Sequence, residues 1–183
     1  MPDTPATKRL AALRATVTDL KAATASHSSL KNRLREVLRS KTNARAALRA
    51  DMESLYRTAR AIAAGKPGFD DKFQTSFWGD PKLVSTASSA LRDAAPMAHV
   101  FVEHALPPDF LAILKQKIRT FEQMREEYAT AQAECAISQR KIEENLHKAV
   151  ACAKGFDAII QNTLRDVPAA LAAWRELCRI RSR

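Results

Sequence analysis

The spacing of Glu144 and His147 is the feature of this sequence that most resembles a metal-ligand motif. A Glu-x-x-His pair places both side chains on one helix face, and di-iron helical bundles use two such pairs on different helices. The pair occurs once here. The helix register predicted below places it away from the seam, which is the line of apolar residues along which the two long helices pack, with His27 within a turn of it. We therefore expect a solvated helix face at this point and no metal ion or other cofactor in the protein.

A second group of titratable residues, His99, Glu103 and His104, lies near the end of a predicted helix and could carry acid–base chemistry. No Gly-rich loop, nucleophile or second cluster accompanies them in the sequence. Histidine is also electrostatically favoured at a helix C-terminus, so the simpler interpretation is a polar helix end. The sequence therefore predicts no catalytic residue, and we expect the protein not to be an enzyme.

Three cysteines, Cys135, Cys152 and Cys178, show neither C-x-x-C spacing nor a zinc-type pairing with histidine. We expect free thiols in a reducing compartment, with Cys135 in the core and Cys152 near Cys178 if the last helix folds back. The first five residues lack an apolar signal region, and no apolar run approaches the roughly 20 residues that cross a bilayer. The sequence predicts a cytoplasmic protein without membrane contact.

The formal charge of +10 is concentrated between residues 8 and 66, where basic side chains greatly outnumber acidic ones. Such an excess would allow contact with nucleic acid, and it suggests phosphate-binding residues on the first helix. These candidates are Arg33, Arg35, Arg39 and Arg57. The segment lacks stacking aromatic residues and any recognised nucleic-acid motif, so a solvated and internally paired helix face is the favoured interpretation.

Four helices are predicted to position these residues. Residues 7–64 contain neither Pro nor Gly, and their apolar residues recur at three- and four-residue steps, as in a coiled coil. Gly and Pro at 65–68 end this helix, and an aromatic strap follows at 66–80. The other predicted helices are 81–105, which Pro96 should kink or divide, 107–163, and 167–181.

The two long helices are predicted to pair antiparallel within one chain. Matching the two heptad patterns gives a register in which paired residue numbers add to about 173. It places Leu55 against Ile118, Leu20 against Ala153 and Arg45 beside Tyr128, with Arg14 near Asp157 as a flanking charge pair. The second helix is short, so the strap must run back along the first helix. A strap that turns tightly is the alternative, and it would leave the long helices parallel and staggered, with exposed seams that require a dimer.

The composition agrees with this architecture, since 46% of the residues are apolar, only 6% are aromatic, and 183 residues contain four Gly. The fold class predicted is all-α, an elongated helical bundle with two very long antiparallel coiled-coil helices and two shorter packed helices. The whole chain, residues 1–183, is predicted to form a single helical-bundle domain.

Several short segments also resemble an uncharacterised family of bacterial all-helical proteins. They are ARAIA at 59–63, PGFDDKF at 67–73, DAAP at 93–96 and LPPDFL at 106–111, with a closing segment at 156–174. The resemblance extends from about residue 30 to residue 174. It implies a bacterial cytoplasmic protein, and it brings no known activity and no site residue. In place of the basic stretch that the resemblance leads us to expect after Phe73, this chain has QTSFW at 74–78.

Together these observations favour a non-enzymatic helical scaffold or protein-interaction module of unknown specific function. Its partner would be another protein or a second copy, through residual apolar surface of the second helix or the strap. The alternative is a basic nucleic-acid-associated protein, and a metal-dependent bundle enzyme ranks third. Binding to DNA that falls with salt would separate the first two interpretations, and bound metal with turnover would indicate the third.

Overall fold

The structure, a computed structural model, describes residues 5–74 and 79–180, with the side chains of residues 5–74 and 79–176. Its elements in chain order are α1 (Pro5–Ala63), a 3-10 helix (Phe69–Phe73), α2 (Asp80–Ala94), a 3-10 turn (Ala95–Met97), α3 (Ala98–Glu103), α4 (Phe110–Thr163) and α5 (Pro168–Ile180). The described residues form helices and no strand. The predicted all-α bundle is thus confirmed, and no helix in the described segments is both long and apolar enough to cross a membrane.

Pro96 divides the predicted second helix, as expected. Its ring cannot donate an amide hydrogen bond, and a three-residue 3-10 turn separates α2 from α3 at this point. The end of α3 is closed by two backbone bonds, from Leu106 N–H to Phe101 C=O and from Ala105 N–H to Val102 C=O. This is a Schellman motif, and it holds Ala105 at a φ of 67°, a conformation in which glycine is usual.

Helix α4 begins at Phe110, three residues later than predicted. Leu106 and Pro107 each precede a proline, which disfavours the helical backbone conformation at both. The carbonyl of Asp109 accepts the first helical hydrogen bond, from the N–H of Ile113 at 3.0 Å. The helix therefore starts after the proline pair and not at it.

The chain divides into two compact units. Unit 2 is the continuous segment 32–133, and unit 1 combines residues 1–31 with residues 134–183. Both α1 and α4 contribute residues to each unit. The single domain expected from the sequence stays a prediction.

Unit 2 contains most of the fully buried side chains. Four phenylalanines pack together there, and Phe101 lies at the centre with ring-centroid distances of 5.3 Å to Phe73, 5.7 Å to Phe69 and 5.6 Å to Phe110. Around this aromatic cluster are the buried side chains of three helices: Leu48, Met52, Leu55, Ala59 and Ile62 of α1, Leu83, Ala87, Ala90 and Ala94 of α2, and Leu114, Ile118 and Phe121 of α4. The alanine side chains of α2 are small, so the axis of α2 can lie close to the axes of α1 and α4.

Two contacts in unit 2 establish that the long helices run antiparallel. Lys117 Nζ lies 2.7 Å from Asp51 Oδ1, and Lys41 Nζ lies 4.7 Å from the ring centre of Tyr128. Residue numbers thus fall along α1 as they rise along α4, which rules out the parallel alternative. In unit 2 the predicted register is wrong by about one helical turn, since it placed Arg45 and not Lys41 beside Tyr128.

Asp80 fixes the start of α2 beside the middle of α1. Its carboxylate contacts Lys41 Nζ at 2.7 Å and Arg45 Nε at 3.1 Å, and these two cations lie one turn apart on α1. From Arg45 to the end of α1 the distance is roughly 27 Å at 1.5 Å per residue. The chain between α1 and α2 therefore returns along the bundle, as predicted. Within that strap Phe73 is buried, and Phe77 and Trp78 lie outside the described residues.

Unit 1 has few fully buried side chains. In its described part these are Ala23, Cys135 and Asn145, while Leu13 and Leu20 are only half-buried. The predicted seam is wrong at several positions of unit 1, because Val17 and Leu146 are 38% and 49% exposed and Thr24 and Ala153 are exposed as well. The same holds in unit 2 for Leu38, which is 42% exposed. At each of these positions the preceding residue is more buried: Thr16, Ala23, Val37, Asn145 and Cys152.

Helix α5 packs on α4 in unit 1 through Trp174. Its indole lies edge-on to Phe156 at 5.9 Å, and its Nε1 donates a 2.7 Å hydrogen bond to Asp157 Oδ1. Gln161 Nε2 donates to the other carboxylate oxygen of Asp157 at 2.8 Å. Asp157 is therefore bound by Trp174 and Gln161, and not by Arg14 as the predicted register proposed.

Candidate functional site

The four arginines predicted to contact phosphate are all exposed on α1 within unit 2. Arg39 and Arg57 are 18 residues apart, which is five helical turns, so they share one face about 27 Å apart along the axis. Arg35 lies one turn before Arg39, close to the same face. Arg33 lies to the side of this face, since six residues from Arg39 correspond to about 120° of rotation.

Neighbouring cations of α1 are already paired. Lys41 and Arg45 contact Asp80, and Arg49 lies 3.8 Å from Glu53. Within residues 5–74 and 79–176, by contrast, Arg39 and Arg57 have no ion-pair partner, and Nη1 of Arg35 donates to the side-chain oxygen of Asn32 at 3.3 Å. We call Arg35, Arg39 and Arg57 the outer arginine face. The structure thus places three of the four candidates on one face of α1, and Arg33 lies to the side of that face.

The candidate residues for metal or acid–base chemistry do not converge. Glu144 and His147 are exposed, and so are His99 and Glu103. His104 is also exposed, and its Nδ1 donates to the carbonyl of Val100 at 2.9 Å. In the parts of the chain that the structure describes, no group of three or more His, Cys, Asp or Glu side chains could hold a metal ion.

The cysteines are separate from these groups. Cys135 is buried on the seam of unit 1, as predicted, and Cys152 is half-buried. Both are free thiols. The side chain of Cys178 lies outside the described residues, so its predicted approach to Cys152 stays a prediction.

A small cavity of about 180 Å³ lies in unit 2 beside the start of α4. Its lining is mainly apolar: Leu55, Leu106, Pro107, Phe110, Ile113 and Leu114, with Asp51 and Ser54 at one side. The single carboxylate is already bound to Lys117 at 2.7 Å. The cavity therefore offers apolar contact and no pair of groups suited to proton transfer or nucleophilic attack.

Three exposed apolar residues of unit 1 form a patch. The guanidinium of Arg9 lies over Gly155, where an added Cβ would be 2.7 Å from Nη1, so residue 9 of α1 is nearly level with residue 155 of α4. Eight residues further along α1 and eight back along α4, Val17 comes level with residue 147, between Leu146 and Val150. These three side chains are 38%, 49% and 44% exposed.

The three residues also lie on one side of the helix pair. Each follows a more buried seam residue by one position: Thr16 before Val17, Asn145 before Leu146, and Ala149 before Val150. In an antiparallel pair, the residue that comes directly after a seam residue lies on the same side of the pair for both helices. This is because both helices are right-handed and they run in opposite directions. We call Val17, Leu146 and Val150 the unit 1 patch.

The sequence did not indicate this patch, because the three- and four-residue steps of the apolar residues place Val17 and Leu146 on the predicted seam. The spacing of the apolar residues could not have indicated it. Neighbouring pairs such as Thr16-Val17 and Asn145-Leu146 allow two seam assignments, and both of them keep three- and four-residue steps along the helix. The more apolar member of such a pair is not always the buried one.

Comparisons with protein-family models, curated proteins and solved structures find no match for this chain. The resemblance to an uncharacterised bacterial family therefore stays a prediction. Function must be inferred from the surfaces described above.

Proposed function

We propose that this chain is a non-enzymatic helical scaffold or protein-interaction module whose binding surface is the unit 1 patch. The observation that carries the proposal is the half-exposed seam of unit 1, with Val17, Leu146 and Val150 together at its side. In unit 2, side chains of α2 such as Leu83 and Ala87 are buried with those of α1 and α4. An exposed apolar stripe of this kind is what a helix-binding surface requires.

The chemistry of the patch favours a helical partner. Full burial of a Val or Leu side chain contributes about 1.5–3 kcal/mol, so the exposed fractions here correspond to about 1 kcal/mol for each residue. An amphipathic helix laid along the groove would cover all three side chains at three- and four-residue spacing. The second helix and the strap, which the sequence suggested as interface, contribute Leu83, Ala87 and Phe73 to the core, and a contact through their remaining surface stays a prediction.

The non-enzymatic part of the proposal rests on the dispersion of reactive groups. In the described residues the histidines and carboxylates considered for catalysis are exposed or held by partners on their own helix. The described cavity in unit 2 has one carboxylate, which Lys117 neutralises. These observations support a binding role and name no reaction.

Site-specific photo-crosslinking in the cells that make the protein tests the proposal. A benzophenone side chain replaces Leu146 in one variant and Ile137 in the control. Ile137 is 66% exposed and lies nine residues, or two and a half turns, away from Leu146, on the opposite face of α4. We expect protein adducts from position 146 and few from position 137. Equal labelling from the two positions, or none from position 146, would contradict the proposal.

A specific observation also favours the second candidate, a nucleic-acid-associated protein. The outer arginine face presents exposed guanidinium groups, and Arg39 and Arg57 lack an ion-pair partner in the described chain. Fluorescence anisotropy with a duplex of about 20 base pairs, at about 50 and 200 mM salt, tests it. Replacing Arg39 and Arg57 by Ala should lower the salt slope by about 2, whereas Arg119→Ala on exposed α4 surface should not. Absence of binding at low salt would remove this candidate.

A further inference from the structure

A polar groove of about 480 Å³ lies between α1 and α4 in unit 1. Its lining residues are Asp19, Ala22, Ala23 and Ser26 of α1 and Ser138, Lys141 and Asn145 of α4. Because residue 9 is nearly level with residue 155, Asp19 is level with Asn145, and Ser26 is level with Ser138. The groove therefore extends along about two turns of each helix.

The groove is on the opposite side of the helix pair from the unit 1 patch. On α1, Ala22 comes directly before the buried Ala23. On α4, Lys141 comes directly before the half-buried Ile142. The residues of the patch come directly after a seam residue instead, and so does Asp157, which α5 contacts. An inference drawn from the groove is thus independent of the proposed function.

Asn145 gives the groove a polar group that needs a partner. Its side chain is 8% exposed, and within the described residues its amide makes no hydrogen bond to another protein group. A buried amide that lacks a hydrogen bond is costly, because its hydration is lost and not replaced. Since Asn145 lines the groove, a molecule bound in the groove is the partner that this amide can reach.

The other polar side chains of the groove are also without a protein partner. Asp19 and Lys141 form no ion pair with any residue that the structure describes. Ser26 and Ser138 make no side-chain hydrogen bond in the same part of the chain. Nearby hydroxyl groups behave differently, since Thr24 donates to a carbonyl of its own helix at 2.8 Å. The polar groups of the groove are thus free to contact a bound molecule.

The charges of the groove identify the class of that molecule. Asp19 and Lys141 carry opposite charges on different helices, and they are one turn, or about 6 Å, apart along the helix axes. The amide of Asn145 both donates and accepts, so its NH₂ group can bind a carboxylate and its oxygen an ammonium group. No aromatic ring is among the described lining residues, so the groove has no stacking surface for a nucleobase. These features match a small molecule with one ammonium and one carboxylate group.

We propose that this groove binds a free amino acid or a similar small zwitterion. The ammonium group of the ligand contacts Asp19, and its carboxylate contacts Lys141. The amide of Asn145 bonds the same two groups. The methyl side chains of Ala22 and Ala23 leave space beside them for the side chain of the ligand.

Titration of the full-length ¹⁵N-labelled protein, followed by ¹H–¹⁵N NMR, tests the inference. The probes are the twenty common amino acids, each added separately to about 10 mM. We expect at least one of them to give saturable shifts in the side-chain NH₂ signal of Asn145 and in the backbone amides of residues 19–26 and 138–145. The NH₂ signal is identified by its loss in Asn145→Ala. If water alone is the partner of this amide, no probe shifts its signal, and that result overturns the inference.

Blocked probes and charge variants then test how the ligand is held. The N-acetyl form and the carboxamide form of the same amino acid lack one charge each, so each should bind at least about tenfold more weakly. Lys141→Gln and Asp19→Asn should weaken binding of the unblocked amino acid to a similar extent. Lys148→Gln is the control, because Lys148 is an exposed lysine two turns further along the same face of α4 and outside the groove.

Unchanged NMR signals outside the groove show that each variant is folded. Equal binding of either blocked form overturns the inference, because the groove would then recognise only one charge. Undiminished binding in both Lys141→Gln and Asp19→Asn overturns it as well, and so does equal weakening by Lys148→Gln.

Discussion

Replacing Phe101 by Ala should produce a large loss in the free energy of unfolding. The side chain is 0% exposed and is the ring that Phe69, Phe73 and Phe110 share, at centroid distances between 5.3 and 5.7 Å. It therefore connects α3 with the 3-10 helix of the strap and with α4. Its removal leaves a cavity that three separate elements would have to fill.

The magnitude follows from burial and ring contacts. Phe→Ala in a core costs about 3–5 kcal/mol, and aromatic pairs add about 0.5–1.5 kcal/mol each beyond their buried area. With three ring partners for Phe101, we expect a loss of about 4–5 kcal/mol in the free energy of unfolding. Since small domains unfold with a urea slope of about 1–3 kcal/mol per molar, the midpoint should fall by about 2 M.

Urea unfolding followed by far-UV circular dichroism measures this loss, and Phe156→Ala in unit 1 is the comparison. Phe156 is half-buried and has one aromatic partner, Trp174, so its replacement should cost about 2 kcal/mol. Hydrogen exchange should rise within residues 44–62 and 110–121 for the first variant, and within 138–163 for the second. A cost for Phe101→Ala no larger than that for Phe156→Ala would refute the assignment of the main core to unit 2.

Three smaller changes are expected in the urea midpoint of the full chain. Gly155→Ala should raise the free energy of unfolding by up to about 1 kcal/mol, because the end of the Arg9 side chain can move aside; a loss would mean that Arg9 is fixed there. Asp80→Asn should lower it by about 1–2 kcal/mol by weakening the contacts with Lys41 and Arg45, and an unchanged midpoint would show that α2 is held by its apolar face alone. Ala105→Gly should raise it by about 0.5–1 kcal/mol because residue 105 has a positive φ; a decrease would contradict the Schellman geometry.

The long helices and their antiparallel pairing could be predicted because their signals are redundant. Residues 7–64 contain no helix breaker, and the buried side chains of unit 2 from Leu48 to Ile62 were all on the predicted seam. Proline breaks the hydrogen bonding of a helix, so the division at Pro96 could also be predicted. The long helices depend on many residues, and the division at Pro96 depends on a single steric rule.

The register and the unit 1 patch could not be obtained in the same way. A shift of one helical turn still places apolar residues opposite apolar residues, so the pattern does not distinguish Lys41 from Arg45 as the partner of Tyr128. The contacts that decide it are single side-chain placements, such as Lys117 on Asp51 and Arg9 over Gly155. The burial of Asn145 beside exposed Leu146 reflects helix phase and overrides side-chain hydrophobicity.

The division of the chain also implies an order of assembly. Unit 2 is one continuous segment, whereas unit 1 brings together two chain ends separated by about 100 residues. Closing a loop of that length in a disordered chain costs about 4 kcal/mol or more of entropy, and the half-buried seam of unit 1 offers little to offset it. Once residues 32–133 have folded, α1 and α4 already run antiparallel at the point where unit 1 begins. We therefore expect residues 32–133 to fold first and the two segments of unit 1 to pair afterwards.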